Sequence, residues 1–309
     1  MKFILSLLLC LCFGLPVQAT ASQPRELTAT VFPVWLILHE VTREVPNVNV
    51  SLLLPAASGC PHDYAMTPND RRRLARADVL VINGLGLENF LGNENNMKAL
   101  MKPDASVIDA SKGVTGLLHS EEHRHGAKGH GHACGPNPHI FAAPSMMAQM
   151  ALSVSSQLAK LDPAHAALYD TNGKKAAARL EALSAECRNV GGKLTSRAVI
   201  AQHDIFDYLA RDMGLTVEAH IQPHDGQEPS ARGMLNLVRL IRSHKVAAVL
   251  TEPQYPARAG RTLASETGIP CLELDPAANG PDDLNSPLDW YENLMRSNLR
   301  TLEQALGTR

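Results

Sequence analysis

The chain has 309 residues, of which 45% are hydrophobic, and its 29 basic and 31 acidic residues give a formal net charge of -2. This length is typical of roughly two domains, and the apolar content is enough to fill two ordinary cores. The nearly balanced charge provides no field that would attract nucleic acid or anionic lipid, so we expect neither as a partner.

Residues 1–21 have the pattern of a cleaved secretory signal peptide. Lys2 gives a positive start, residues 3–15 form an apolar run, and the small-residue patterns VQA and ATA follow. The apolar run is shorter than the roughly 20 residues that a membrane-spanning helix needs, and no later stretch approaches that length. We therefore expect a periplasmic protein that is not inserted in the membrane.

Residues 22–161 alternate short apolar strands with helical patterns, as βαβ units do. The strand patterns, in chain order, are RELTATVFP, VNVSLLLP, DVLVING and SVIDAS. The helical patterns are WLILHEVTREV, NDRRRLARA and the apolar stretch 144–161. These segments predict an N-terminal α/β lobe over residues 22–161.

Residues 162–192 are predicted to form a long helix that links this lobe to the next. Asp162 and Pro163 are typical of a helix start, and Gly191 begins a glycine pair at the expected end. Gly173 interrupts the pattern, and glycine within a helix weakens such a prediction.

Residues 193–309 repeat the alternation of the first lobe. The strand patterns are RAVIAQHD, LTVEAHI, VAAVLTEP and PCLELDP. The helical patterns are IFDYLARDMG, SARGMLNLVRLIRSHK, ARAGRTLASETG and a terminal segment from about residue 288. The predicted fold class is therefore α/β, with two similar lobes, each a parallel-type sheet flanked by helices, joined by one long backbone helix.

Polar side chains follow several of the predicted strands, and ligands of open parallel sheets bind at that edge. Two such residues lie in each half of the chain: His62, His139, His203 and Asp275. Three imidazoles and a carboxylate suit four-coordinate zinc, whereas manganese and calcium sites contain more oxygen. Each residue alone is equally explained as a satisfied loop residue, so the spacing by itself does not establish a site.

Residues 119–134 are rich in histidine and glycine, and no core could use them, so we expect a loop. Its histidines are His119, His123, His125, His130 and His132. This loop is a candidate auxiliary metal site of low affinity, because a flexible segment loses chain entropy when it closes around an ion. The alternative is a solvated insertion with no metal role.

Five strings along the chain resemble one known family. They are GCPHDYAMTPND, PNPHIFAAP, AQHDIFDYLARDMG, LTEPQ and LELDP, in that order. They resemble the metal-binding solute receptors of bacterial importers, the cluster A-I family, which has zinc and manganese members. The resemblance covers essentially the whole mature chain. It implies a monomeric receptor that captures a metal ion between its lobes and delivers it to the membrane permease of an ABC importer.

The resemblance also implies the roles of individual residues. Matched by position, the metal ligands are His62, His139, His203 and Asp275. Manganese members tend to place a glutamate at the third position, so His203 favours Zn²⁺ as the transported ion. Three carboxylates are expected to orient the imidazole rings from behind or to organise the cleft: Asp63, Asp204 and Glu252.

Removal of the signal leaves an even number of cysteines in an oxidising compartment, where one or two disulfides are expected. The four are Cys60, Cys134, Cys187 and Cys271. Cys60 is close in sequence to His62, and Cys134 to His139, so a shared ion would bring both thiols near it. The preferred interpretation is a Cys60–Cys134 disulfide. Thiolate ligation of the ion, which would favour softer metals, stays open.

Three other functions stay open at this point. A manganese-type receptor of the same family is the nearest alternative. A zinc hydrolase needs an open position for water on the metal, and the sequence contains no HExxH helix, so we predict that the protein is not an enzyme. A periplasmic zinc buffer or chaperone that never docks on a permease has no sequence signature that separates it from a receptor.

Overall fold

The computed structural model describes residues 24–59, 61, 64–119, 135–222, 228–281, 284 and 286–307. The predicted signal peptide lies outside the described residues. Within them, no helix combines the length and the apolar character that are needed to cross a membrane.

The first sheet contains four parallel strands in the order β2-β1-β3-β4. The strands are β1 (Arg25–Ala29), β2 (Val48–Leu52), β3 (Val79–Ile82) and β4 (Ser106–Asp109). Parallel neighbours require crossover connections, and helices supply them: α1 (Phe32–Val41), α2 (Pro68–Leu74) and α3 (Glu94–Ala99). All four strands were predicted. The short helix α3 was not, because ENNMKA has no apolar periodicity; it begins where the Asn93 side chain caps the Asn96 amide.

The second sheet repeats this topology with the strand order β6-β5-β7-β8. Its strands are β5 (Ala198–Ala201), β6 (Thr216–His220), β7 (Ala248–Thr251) and β8 (Cys271–Glu273). Its helices are α6 (Asp207–Met213), α7 (Ala231–His244), α8 (Arg258–Thr267) and α9 (Pro287–Leu306). The predicted fold class of two similar parallel α/β lobes is therefore confirmed.

Two long helices follow the first sheet and precede the second sheet in the sequence: α4 (Pro144–Leu161) and α5 (Ala166–Lys193). The prediction of a helix over 162–192 was wrong at its start, because Pro163–His165 form a separate 3-10 turn. Gly173 does not interrupt α5 and instead permits close packing, since a Cβ atom there would lie 2.2 Å from Ser155 Oγ of α4. Gly191 likewise lies inside the helix, where a Cβ would be 2.1 Å from the Met213 carbonyl oxygen.

The two lobes share buried contacts. One cluster of buried hydrophobic side chains extends from β1 through α4 and α5 to α9. The Tyr291 hydroxyl of α9 donates a hydrogen bond to the Phe141 carbonyl oxygen at 3.1 Å, and Trp290 meets Phe32 of α1 edge to face at 5.3 Å. Helices α5 and α9 therefore connect the lobes by packing as well as by the chain.

Candidate metal centre

His139 and His203 have similar local surroundings, one in each half of the chain. Each immediately precedes a 3-10 turn that leads into a helix, Ile140–Ala142 before α4 and Asp204–Phe206 before α6. His203 also follows β5, at the carboxyl edge of the second sheet. Both side chains are almost completely buried. The fold thus brings a histidine from each half into the region between the lobes.

The rings of His139 and His203 lie close together, with centroids 5.1 Å apart and planes at 84°. Within the described residues, one group could hold a metal ion through ligand atoms that all lie within 4.8 Å of one another, and it consists of His139, His203 and Asp204. Both histidines border a void of about 10 Å³, comparable to the space that one water molecule needs. The other residues that line this void are Pro61, Phe141, Ile205, Glu252, Gln254, Tyr255 and Ala278.

Oxygen atoms fix the orientation of the His139 ring. Its Nδ1 atom lies 3.0 Å from Asn137 Oδ1 and 3.1 Å from Asp204 Oδ1. Two acceptors beside Nδ1 assign the ring proton to that nitrogen, and this assignment leaves the lone pair of Nε2 for a metal. The backbone amide of His139 also donates to Asn137 Oδ1 at 2.9 Å.

A buried carboxylate lies against the His203 ring. Nδ1 of His203 lies 2.5 Å from Oε1 of Glu252, which follows β7. The Glu252 side chain is only 1% exposed, so its charge is poorly screened by solvent. A carboxylate behind a metal-binding imidazole holds its tautomer and raises its basicity. The edge of Tyr255 packs against the other side of the ring, with centroids 5.5 Å apart.

Asn137 joins the two lobes beside the histidines. Its Nδ2 donates to the Asp204 carbonyl oxygen at 2.8 Å, and its own carbonyl accepts from the Tyr208 hydroxyl at 2.8 Å. Sequence reasoning missed both Asn137 and Tyr208. The available signal for Asn137 was its place in the string PNPH, two residues before a predicted ligand.

Asp275 lies outside the group formed by the two histidines and Asp204. It borders a separate cleft of about 410 Å³, and Gln254 lines both this cleft and the smaller void. Asn298 holds the Asp275 backbone by accepting from its amide at 3.1 Å and donating to its carbonyl at 2.7 Å. Burial raises the pKa of the Asp275 carboxyl, and the charges of Glu252 and Glu273 raise it further.

Several of the predicted site residues lie outside the described residues. They are His62, Asp63, Cys60, Cys134 and the loop histidines His123, His125, His130 and His132. His119 is described and pairs with Pro136 in an isolated antiparallel bridge. The roles predicted for these residues stay predictions.

The two remaining cysteines are free thiols. Cys187 is buried in α5, and Cys271 lies half-buried in β8. Burial raises the pKa of the Cys187 thiol to about 12, with smaller contributions from the Asp212 and Glu186 charges. A disulfide between this pair, which the even cysteine count left open, is therefore not formed.

Comparison with known sequences gives a match over nearly the whole chain. The profile of the family described as ZnuA, zinc-uptake complex component A periplasmic, matches residues 27–305. The high-affinity zinc uptake system protein ZnuA of Bacillus subtilis (strain 168) is 27% identical over 281 residues, which cover 90% of this chain and 86% of the relative. The zinc-binding lipoprotein AdcA of Streptococcus pneumoniae is 25% identical over 291 residues, or 93% of this chain, and this chain spans 57% of its length.

Solved structures give the same result for the fold. A crystal structure of ZnuA superposes with a TM-score of 0.76 at 27% identity and covers 92% of this chain and 100% of that chain. The solute-binding protein FpvC of Pseudomonas aeruginosa in complex with Mn²⁺ has a TM-score of 0.75 at 27% identity and covers 92% and 98%. FpvC has also been determined with Ni²⁺, with a TM-score of 0.76 at 25% identity and coverage of 93% and 100%.

Proposed function

The chain belongs to the ZnuA family of periplasmic zinc-uptake components, and from this premise we propose that it captures Zn²⁺ between its lobes and delivers it to the permease of an ABC importer. The predicted signal peptide takes the chain to the periplasm, where it acts as a monomeric receptor and not as an enzyme. The names of the relatives, which include a high-affinity zinc uptake protein and a zinc-binding lipoprotein, support zinc as the cargo.

The observation that carries this proposal is the pair of buried histidines, one from each half of the chain, whose rings lie 5.1 Å apart. Nδ1 of each ring faces a carboxylate oxygen, so Nε2 is the metal-binding atom in both. His62 and Asp275 complete the proposed ligand set. Asp204 and Glu252 then act behind the rings, and Asp63 is assigned the same role beside His62.

The proposed binding step joins the lobes around the ion. Because His139 and His203 come from different halves, an ion bound by both adds a bridge between them. Helices α5 and α9 already hold the lobes together, so we expect binding to move side chains and loops more than whole lobes. Protonated imidazole cannot ligate a metal, so the affinity should decrease as the pH falls.

A manganese-type receptor is the second candidate, and one observation favours it: FpvC, with a similar fold, has been determined in complex with Mn²⁺. The nitrogen donors of His139 and His203 argue for zinc, since manganese favours carboxylate and water oxygen. A zinc receptor should therefore bind Zn²⁺ more tightly than Mn²⁺, and a manganese receptor should show the reverse order.

Two measurements distinguish a zinc receptor from a manganese receptor: metal analysis of the purified chain, and competition titrations with Zn²⁺ and Mn²⁺. We expect one tightly bound Zn²⁺ per chain and weaker Mn²⁺ binding; the reverse order would favour the manganese receptor. Growth of a deletion strain at low zinc tests delivery. Rescue by this protein should require the membrane importer, and rescue without it would indicate a zinc buffer.

A further inference from the structure

A cavity of about 710 Å³ lies on the N-terminal lobe and shares no lining residue with the void or the cleft of the metal centre. Its walls come from β1, β2, α1 and α2 and from Pro281 of the other lobe. Its volume is within the range of roughly 300–1,000 Å³ that is typical of small-molecule sites. The metal-binding function does not account for this cavity.

Two arginines line one side of the cavity, Arg73 of α2 and Arg76 just beyond it. Arg73 Nη1 donates to the carbonyl oxygens of Leu52 and Leu53 at 3.4 and 3.2 Å, so its guanidinium is held in place. Neither arginine forms an ion pair with the part of the chain that the structure describes. The cavity therefore presents two cations, one of them positioned in advance.

The acidic groups near these arginines are Asp70 and Glu26. Asp70, the acidic residue of α2, accepts hydrogen bonds from the Tyr64 hydroxyl at 2.8 Å and from Thr67, and its charge also interacts with that of Arg73. Asp70 is buried and does not line the cavity. Glu26 lines the cavity, and its Oε1 accepts from Asn49 Nδ2 at 2.8 Å. The lining therefore contains one carboxylate and two guanidinium groups, so the cavity favours an anionic ligand over a cationic one.

The lining also contains an aromatic pair. Phe32 and Trp35 of α1 stack with centroids 5.7 Å apart and planes at 26°; Phe32 is only 3% exposed, and Trp35 is half-buried. Thr28 and Ser51, which are hydrogen-bonded to each other at 3.0 Å, add two hydroxyl groups at the strand surface. Aromatic walls of this kind bind flat apolar groups by offset or edge-on ring contacts.

We propose that this cavity is a second ligand site, which binds small planar organic anions through an aromatic carboxylate. The carboxylate pairs with Arg73 and Arg76, because the guanidinium fork matches carboxylate geometry in a bidentate manner. The ring of the ligand packs on Trp35, which itself stacks on the buried Phe32. The site requires no metal, so it stands independently of the proposed zinc function.

Three small probe molecules test the chemistry of the site. Benzoate carries both the ring and the charge, acetate only the charge, and benzamide only the ring. In calorimetric titrations of the full mature chain, benzoate should bind at least about ten-fold more tightly than either of the other two, a difference of about 1.4 kcal/mol. Absence of benzoate binding at millimolar concentration, or equal binding of acetate, overturns the proposal.

A pair of double variants tests the location. Arg73→Ala/Arg76→Ala removes the two arginines that line the cavity, whereas Arg71→Ala/Arg72→Ala removes the same charge from exposed residues of α2 that do not line it. We expect the first to weaken benzoate at least about ten-fold and the second less than about two-fold. Equal loss in both would show nonspecific charge attraction and overturn the site.

Arg73 also donates hydrogen bonds to two backbone carbonyl oxygens, so its removal could disturb the fold as well as the cavity. The single variant Arg76→Ala leaves those hydrogen bonds intact and should still weaken benzoate. Trp290→Phe leaves Trp35 as the single tryptophan of the chain, so its fluorescence reports on the cavity wall. Benzoate should quench this signal; unchanged fluorescence with measurable binding would place the ligand elsewhere and contradict the proposal.

Discussion

Nδ1 of His203 lies 2.5 Å from Oε1 of Glu252, and neither side chain is more than 4% exposed. The two residues follow neighbouring strands of the second sheet, β5 and β7, whose carboxyl ends meet at one edge. A buried charge at this distance from an imidazole favours the tautomer with its proton on Nδ1, which leaves Nε2 as the metal-binding atom. In the proposed zinc site, Glu252 therefore orients His203 before the ion arrives.

Glu252→Gln should weaken zinc binding by about 10- to 100-fold, the usual cost of losing the partner of a metal-binding histidine. The amide keeps the size of the side chain but loses the charge that raises the basicity of His203. The measurement is a competition titration with a chromophoric chelator. Glu266→Gln, on an exposed acid of α8, is the control and should leave the affinity unchanged; equal effects in both variants would contradict the role of Glu252.

Asn137→Ala should lower both the thermal stability and the zinc affinity, because it removes an amide that touches His139 and the Asp204 carbonyl together. Loss of a buried polar group with several partners costs about 1–3 kcal/mol of unfolding free energy. Tyr208→Phe removes the hydroxyl that donates to the Asn137 carbonyl and accepts from the Leu118 amide, but it leaves the Asn137 side chain in place. It should therefore also cost about 1–3 kcal/mol of unfolding free energy, with little change in zinc affinity. Denaturant unfolding of the metal-free protein measures the unfolding free energy, and a chelator competition titration measures the zinc affinity. Unchanged zinc affinity in Asn137→Ala would contradict the prediction.

Glu88 should make the stability of the metal-free protein depend on pH. Burial raises the pKa of its carboxyl to about 7, although hydrogen bonds from Thr30, Asn83 and Gly84 favour the ionised form. The folded protein keeps this proton at pH values where the unfolded chain has lost it. The contribution of Glu88 to the free energy of unfolding therefore decreases as the pH rises from about 4.5 to 7, by up to about 3 kcal/mol.

Glu88→Gln should remove that part of the pH dependence, whatever its effect on absolute stability. Urea unfolding at several pH values measures the slope. Glu181→Gln, an exposed glutamate of α5, is the matched control and should keep the slope of the unmodified protein. The same slope in the Glu88 and Glu181 variants would show that Glu88 does not titrate in this range.

Gln254→Ala should accelerate metal exchange. Gln254 lines both the void beside the histidines and the open cleft that contains Asp275. Truncation should raise the association and dissociation rate constants together by about ten-fold, which corresponds to about 1.4 kcal/mol in the barrier. Stopped-flow chelator exchange measures both rates. Asn279→Ala, which alters only the cleft, should leave them unchanged.

The sequence predicted all eight strands because apolar, β-branched runs bounded by turns are a local signal. Helix α3 was missed because its six residues are mostly polar, and the first turn of α5 was misplaced because proline at residue 163 is compatible with a 3-10 turn as well as an α-helix. Gly173 was misinterpreted for a different reason. Its role is to let α4 approach α5, and packing between helices is not visible in a single segment.

For the candidate site, the sequence offered polar residues near strand ends, and the family resemblance selected His62, His139, His203 and Asp275. Among the described residues, the structure brings His139 and His203 together. The sequence could not identify which atoms face each other. The contact of Glu252 with His203, and the bonds of Asn137 to His139 and Asp204, depend on how two separate segments pack across the cleft. The position of Asp275 in a neighbouring cleft is likewise a consequence of tertiary packing.

We propose that imidazoles from both lobes hold one zinc ion. X-ray absorption at the zinc edge, recorded on the protein loaded with one equivalent of Zn²⁺, reports the atoms that bind the ion. We expect imidazole nitrogens at about 2.0–2.1 Å, with fewer of them in His139→Ala and in His203→Ala. A coordination sphere of oxygen or sulfur alone, or one that neither substitution changes, would contradict it.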